Sequence, residues 1–437
     1  MTRRAAVGWL FALALAIRLA AALGLVALDR YDGDVNYRRT AERVVAGEGY
    51  FIETRELFDG LDPERTGVID RFRSSRAPLY PLLLAAVIWM FGSGILPMLL
   101  LHASVAALVP PLVYLIGRRL FDRRTATIGA LIVTVYPYSV MHDVRPFETG
   151  LFEALLAALV LLLFRLTERH DRTTAAATGL VLGATILVKS FFIAFPAVIA
   201  VWLVLVSCAA PRAAVRSLGI VAVTSALVLA PWIARNYRIH GALVPTTTYG
   251  GWVFYLGNNA WTTDLNAEGL ELDGYGSARL NESGTDLAGL SEVQVDRYFL
   301  DRGRAFILAD PGAAVARSLG KAIILWSPRL HPRGSQGAAV HAASYGLLLL
   351  LALAGLVVSR PTAARAWLLY GLAAYVTLIY SVFTSMSRYR KPLDAYLALF
   401  AAAAIVWTID RVRGGADGTP AVRPQAGSAP AASPSDS

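Results

Sequence analysis

Runs of about twenty apolar residues constrain this chain more than any other feature. A bilayer core about 30 Å thick takes about 20 residues of helix, and within it every backbone N–H and C=O must find its partner inside the chain. Such runs lie near 6–28, 95–117, 125–141, 147–165, 174–188, 190–207, 217–233, 337–358, 366–385 and 394–409. They predict an all-α polytopic membrane protein with about ten transmembrane helices. Composition agrees: 56% of residues are hydrophobic and 16% charged, against about 45–50% and about 25% in soluble chains. An ordinary soluble enzyme is excluded. The first run is longer than a signal-peptide core and no cleavage pattern follows it cleanly, so it is expected to be an uncleaved anchor.

Lys and Arg number 41 against 31 Asp and Glu, a net charge of +10. A nucleic-acid partner would need that charge on one solvated face, whereas here the arginines punctuate apolar runs. No nucleic acid is expected. The single cysteine, Cys208, allows no internal disulfide or thiolate cluster. The histidines show neither H-x-x-x-H nor H-E-x-x-H spacing, so no metal site is predicted, and no phosphate-binding glycine loop points to an ATP-driven pump.

Orientation follows from the short loops, because Lys and Arg stay on the cytoplasmic side. With the N-terminus inside, the segments at 118–124, 165–173, 209–217 and 359–365 and the tail from Arg411 all carry arginine on the cytoplasmic side. This requires the apolar stretch 79–92 to lie at the outer interface or to enter only partway. The expected organisation is then a core membrane module, 1–233, whose first outer loop is 29–94. A large outer loop at 234–316, C-terminal helices over 317–410 and a disordered cytoplasmic tail, 411–437, follow.

The outer segments hold the chemistry-bearing residues. Asp29, Asp32 and Asp34 precede a short amphipathic helix with Tyr37, Ala41, Val44 and Val45 on one face. An aspartate there could take a proton from an acceptor, or could simply solvate a helix exit. In the next outer turn Asp143 and Glu148 flank Arg145 and Pro146. Glu148 opens an apolar helix, where it could serve chemistry or only the helix dipole. Glu153, deeper in that helix, should be functional or paired. Lys189, Arg235, Arg238, Arg388, Arg390 and Lys391 lie at outer helix ends, where positive charge should be scarce. Either they hold an anion such as a lipid phosphate, or they snorkel to head groups. The stretch 250–261 sets Trp252, Phe254, Tyr255 and Trp261 beside Asn258 and Asn259, a surface suited to a sugar ring or to an interfacial belt.

The motifs DGDVNY, AERVVAGEGYF, RAPLYPLLLA, IGRRLFDRRTATIGALIVTVYP, PWIARNYRIHGALVPTTT with GNN, and RYRKPLDAYLALFAAAA follow one another over most of residues 6–410. In order and spacing they resemble the bacterial polyprenyl-phosphate-sugar-dependent glycosyltransferases related to protein O-mannosyltransferases and to the lipid A aminoarabinose transferase. The resemblance implies the GT-C membrane fold, with catalysis on the extracytoplasmic side of the bacterial plasma membrane and inverting transfer from a polyprenyl-phosphate sugar donor. It implies Asp34 as the base, since Tyr37 follows three residues on, and Glu148 as the second-loop acid, with Asp143 as the other candidate. Lys189, Arg235, Arg388 and Arg390 match the basic residues that hold the donor phosphate. Tyr37, Arg76, Tyr255 and Asn258 are the expected substrate-binding residues. No cofactor is required, and the acceptor is a glycan, a lipid or a protein. The chain departs from the Asp-Glu pair of the protein mannosyltransferases, having Asp34-Val35. A transporter or flippase of lipid-linked sugars is the competing class. It would show two related halves and charge near the midplane, whereas here the charge gathers at one face beside a long loop.

Overall fold

A computed structural model describes residues 2–28, 33–207, 210–261, 273–330, 337–359 and 363–413. Asp29, Asp32, Cys208 and the expected disordered tail beyond Arg413 lie outside the described residues. Each apolar run falls on helix. The first is α1 (Arg3–Ala27), capped by the Thr2 hydroxyl, which accepts from the Ala5 amide at 3.3 Å. After the ectodomain segment come α6 (Ile95–Ala106), α7 (Val109–Leu120), α8 (Arg123–Val135), α9 (Pro137–Asp143), α10 (Thr149–Arg169), α11 (Arg172–Val188), α12 (Phe195–Val206) and α13 (Pro211–His240).

Three runs differ from expectation, the first being 95–117, which divides into α6 and α7 at Ala107 and Leu108. The stretch at 125–141 is not one helix: Tyr136, with ψ 115°, leaves the helical region before Pro137, and α8 gives way to α9. A residue preceding proline is pushed toward extended backbone, which accounts for the break. The stretch at 217–233 is only the middle of α13. At 30 residues this helix is about 45 Å long, so its last turns project beyond a hydrocarbon core about 30 Å thick and carry Asn236 and His240 into the loop region.

The apolar stretch 79–92 is α5 (Leu79–Phe91). Thirteen residues rise about 20 Å, which is too short to cross a hydrocarbon core. It packs on α2 (Val35–Val45), where the Tyr37 and Tyr80 rings meet edge to face at 5.0 Å. Trp89, Met90 and Phe91 stand exposed at its far end.

Glycines bring the membrane helices together, as expected where lipid offers no contrast with an apolar side chain and association depends on close packing. Gly179 and Gly183 of α11, spaced as GxxxG, abut the α13 main chain at Val221 and Ser225. Lipid-side residues such as Val223, Leu227, Leu347, Leu350 and Leu378 remain exposed. Gly179→Leu would force α11 from α13 at a cost of about 1–3 kcal/mol. We expect a lower thermal midpoint in detergent, with Gly8→Leu as control, because nothing lies within 4 Å of a side chain added at Gly8. Equal midpoints would show that this contact is not under compression.

The C-terminal part contains α14 (Gly250–Gly257), α15 (Asp273–Glu282), α16 (Glu292–Ala309), α17 (Pro311–Trp326), α18 (Ala338–Val358), α19 (Ala363–Val382) and α20 (Ser387–Arg413). The first ectodomain loop and the large loop form one packed unit. Ile52, Phe58, Leu61 and Phe72 share a buried cluster with Trp252, Leu256, Leu287 and Phe299. The two-residue strands β1 (Ile52–Glu53) and β2 (Arg71–Phe72) pair antiparallel beside it, with the one-turn helices α3 (Thr54–Leu57) and α4 (Pro63–Thr66) between them in the chain. The Leu287 amide donates to the Thr66 carbonyl at 2.7 Å, joining the two loops by backbone as well.

Candidate active site

The site lies where loops and helix ends from six parts of the chain meet. Asp34 is the N-cap of α2: its Oδ1 accepts from the Asn36 amide at 3.0 Å. Its other oxygen faces the Arg76 guanidinium at 3.8 Å. One oxygen of this carboxylate thus caps α2, while the other pairs with Arg76 at the cavity. Gly33, just before it, lies against Pro146, and a side chain there would collide with the proline ring. This contact sets the first loop against the second and so brings Asp34 beside Glu148.

Glu148 is the N-cap of α10 and pairs with Lys189, the C-cap of α11. Burial by itself would raise the Glu148 carboxyl, but the Lys189 ammonium outweighs it and carries the group down to about 2. At neutral pH Glu148 is thus an ionised partner of a lysine. Tyr37, on the inner face of α2, is pushed well up by burial, so its phenol keeps its proton.

Arg388 enters from the first turn of α20, its guanidinium 5.8 Å from the Phe147 ring centre and 5.4 Å from that of Tyr389. Tyr389 is itself stacked on Tyr380 at 4.3 Å. Arg76 comes from the stretch between β2 and α5 and lies over Tyr249 at 4.6 Å and near Tyr37 at 5.7 Å. Together these residues line a partly open cavity of about 140 Å³, completed by Thr149, Val253, Leu256, Thr384 and Met386. Three cationic side chains, Arg76, Lys189 and Arg388, and two carboxylates, Asp34 and Glu148, line it. The surplus of positive charge suits an anion, and a guanidinium held on aromatic faces suits phosphate oxygens.

Five of the predicted site residues are placed elsewhere. Asp143 is sealed in the helix bundle, 2.7 Å from the Arg18 guanidinium and 2.5 Å from the Lys391 ammonium. Arg390 is fully buried, bonded to Asp394 at 3.0 Å and to the Leu325 carbonyl at 2.9 Å, with its guanidinium over Tyr345. A guanidinium committed to these partners is a packing element of α20. Arg235 lies over the Trp232 and Tyr50 rings and donates to the Tyr50 carbonyl at 3.1 Å. Tyr255 belongs to the ectodomain core, and the Asn258 amide donates to the Phe254 and Val382 carbonyls at 2.8 Å each. Glu153, expected to be functional or paired, is paired with Lys391.

Residues that sequence reasoning did not single out complete the cavity, among them Phe147, Tyr249 and Tyr389. Phe147 and Tyr389 each adjoin a charged residue already chosen, a signal that was available. Tyr249 adjoins the aromatic stretch that was read but has no spacing of its own to mark it.

Residues 75–234 match the family model of the dolichyl-phosphate-mannose-protein mannosyltransferases. None of the curated proteins compared with the chain matches it. Among solved structures, the archaeal oligosaccharyltransferase AglB from Archaeoglobus fulgidus, in complex with an inhibitory peptide and a dolichol-phosphate, superposes with a TM-score of 0.52 at 15% identity, over 94% of this chain. An oligosaccharyltransferase of the same organism, tethered to an acceptor peptide, gives 0.53 at 16% identity, over 93% of this chain and 51% of the archaeal one.

This is the GT-C fold.

The GT-C chain described here spans 52% of the archaeal chain, about half its length. ArnT from Cupriavidus metallidurans, bound to undecaprenyl phosphate, is similar at 14% identity and a TM-score of 0.43, over 93% of this chain and 79% of its own. Within the GT-C fold of this chain, the segment matched by the family model contributes Arg76, Glu148 and Lys189 to the cavity, and Asp34 and Arg388 come from either side of it.

Proposed function

We propose that this protein is a membrane glycosyltransferase that moves a sugar from a polyprenyl-phosphate-linked donor to an acceptor, with inversion, on the extracytoplasmic side of a bacterial plasma membrane. The observation that carries the reading is that Asp34, Arg76, Lys189 and Arg388, remote from one another in sequence, line one cavity. Asp34 takes the proton of the acceptor hydroxyl or amine. The acceptor atom bonds to the anomeric carbon as the bond from that carbon to the phosphate oxygen breaks. The leaving lipid phosphate keeps the bonding electrons, and the cationic side chains stabilise the charge it gains. Glu148, ionised against Lys189, orients the ammonium toward the phosphate. The family of the matching segment and the dolichol-phosphate named with the archaeal structure support a lipid-phosphate donor. No observation favours a transporter.

The test is transfer of labelled sugar from a polyprenyl-phosphate sugar by the purified protein in a bilayer. Removing a charged hydrogen-bond partner of a phosphate costs about 1.5–3 kcal/mol, so Arg388→Gln should raise the donor KM by about tenfold to about a hundredfold. An unaltered KM would remove Arg388 from the donor site. Lipid movement without sugar transfer would overturn the enzyme reading.

A further inference from the structure

Glu292 lies outside the cavity, in the first turn of α16, and the proposed chemistry does not use it. Its carboxylate is buried and accepts three hydrogen bonds from two distant segments. The Arg73 amide donates to Oε2 at 2.7 Å and the Ser74 amide to Oε1 at 2.8 Å. The Thr248 hydroxyl also donates to Oε1. Residues 73–78 belong to neither helix nor strand, so Arg76 is held by whatever fixes this stretch from the side. The Ser74 carbonyl accepts from the Thr248 amide at 2.9 Å, and the Tyr50 hydroxyl donates to the Arg76 carbonyl at 3.0 Å.

We propose that Glu292 is a positioning residue that sets Arg76 in the cavity. One carboxylate holds the residue two before Arg76 and the residue just before Tyr249, and Tyr249 supplies the ring on which the Arg76 guanidinium rests. It therefore fixes both the arginine and its platform. Backbone amides bonded to a carboxylate make stronger bonds than those to a neutral acceptor, and a truncated Glu292 leaves the Arg73 amide and the buried Ser74 amide without their acceptor. The large loop thus controls a cation that acts in the donor site. This rests on reading Arg76 as a ligand of the donor phosphate.

The test is a double-mutant cycle on binding of polyprenyl phosphate to the full-length protein in nanodiscs. Arg76→Gln and Glu292→Ala should each weaken binding by about tenfold. The double variant should bind no more weakly than the weaker single one, because Glu292 acts only through Arg76. Glu292→Gln, which keeps the shape and one acceptor oxygen, should fall between Glu292→Ala and wild type, and it carries the cycle if Glu292→Ala does not fold. Losses that multiply in the double variant, or wild-type binding by folded Glu292 variants, overturn the inference while leaving the donor reading intact. Failure of the wild-type protein to bind, or indifference of binding to Arg76→Gln, sinks the donor reading and the inference together.

Discussion

Asp34→Asn should lower the rate of sugar transfer by about 10²–10⁴ while leaving the protein folded, the loss expected when a positioned general base is removed. Asparagine keeps an oxygen that can cap α2 as Asp34 Oδ1 does at the Asn36 amide, so local structure survives. What disappears is the carboxylate that lines the cavity. Because binding of the donor phosphate falls to Arg76, Lys189 and Arg388, the loss should appear in kcat with the donor KM little changed. Single-turnover kinetics with labelled donor would separate the two. Full activity in Asp34→Asn would transfer the role of base to another group.

Lys391→Met should destabilise the fold by about 3–5 kcal/mol, the usual cost of breaking a buried ion pair by removing one partner. The Lys391 ammonium lies between Asp143 and Glu153, with no more than 3% exposure on any of the three side chains, and Asp143 also holds Arg18. These four groups tie α1, α9, α10 and α20 together. Removal of the lysine leaves Asp143 with Arg18 but takes from the buried Glu153 its ion-pair partner. We expect loss of monodisperse protein or a steep fall in the thermal midpoint. Lys391→Met with Glu153→Gln should recover much of it, because the stranded charge is then gone. A stable single variant would show that the network is not structural.

Glu148 and Asp143 show how far reasoning from sequence reached. Both are acidic, five residues apart in one outer turn, and the sequence marks both as candidates. Asp143, the last residue of α9, points into the bundle, while Glu148 is the N-cap of α10 at the cavity. Helix content, the short α5 and the amphipathic face of α2 were legible because periodicity and length are local properties. The break at Pro137 was legible in principle from the proline alone. The union of the two ectodomain loops was not, since the packing of Phe58 on Trp252, with ring centres 5.0 Å apart, leaves no trace in local composition.

The run RYRK makes the division clearest. Its sequence determined that a dense positive charge sits at the start of a membrane helix, together with the apolar pattern that makes the chain a bundle of helices and leaves its charge at helix ends. It could not say which cation does what. Residues on a helix are about 100° apart, so Arg388 and Arg390 point in nearly opposite directions, and only the packing of α20 decides which direction is the cavity. Arg388 faces it, Arg390 is bonded to Asp394, and Lys391 is bonded to Asp143 and Glu153. Apolar burial is a sum over many residues and survives in the linear sequence. The meeting of a few charges is set by where distant helices cross, and that belongs to the tertiary structure alone.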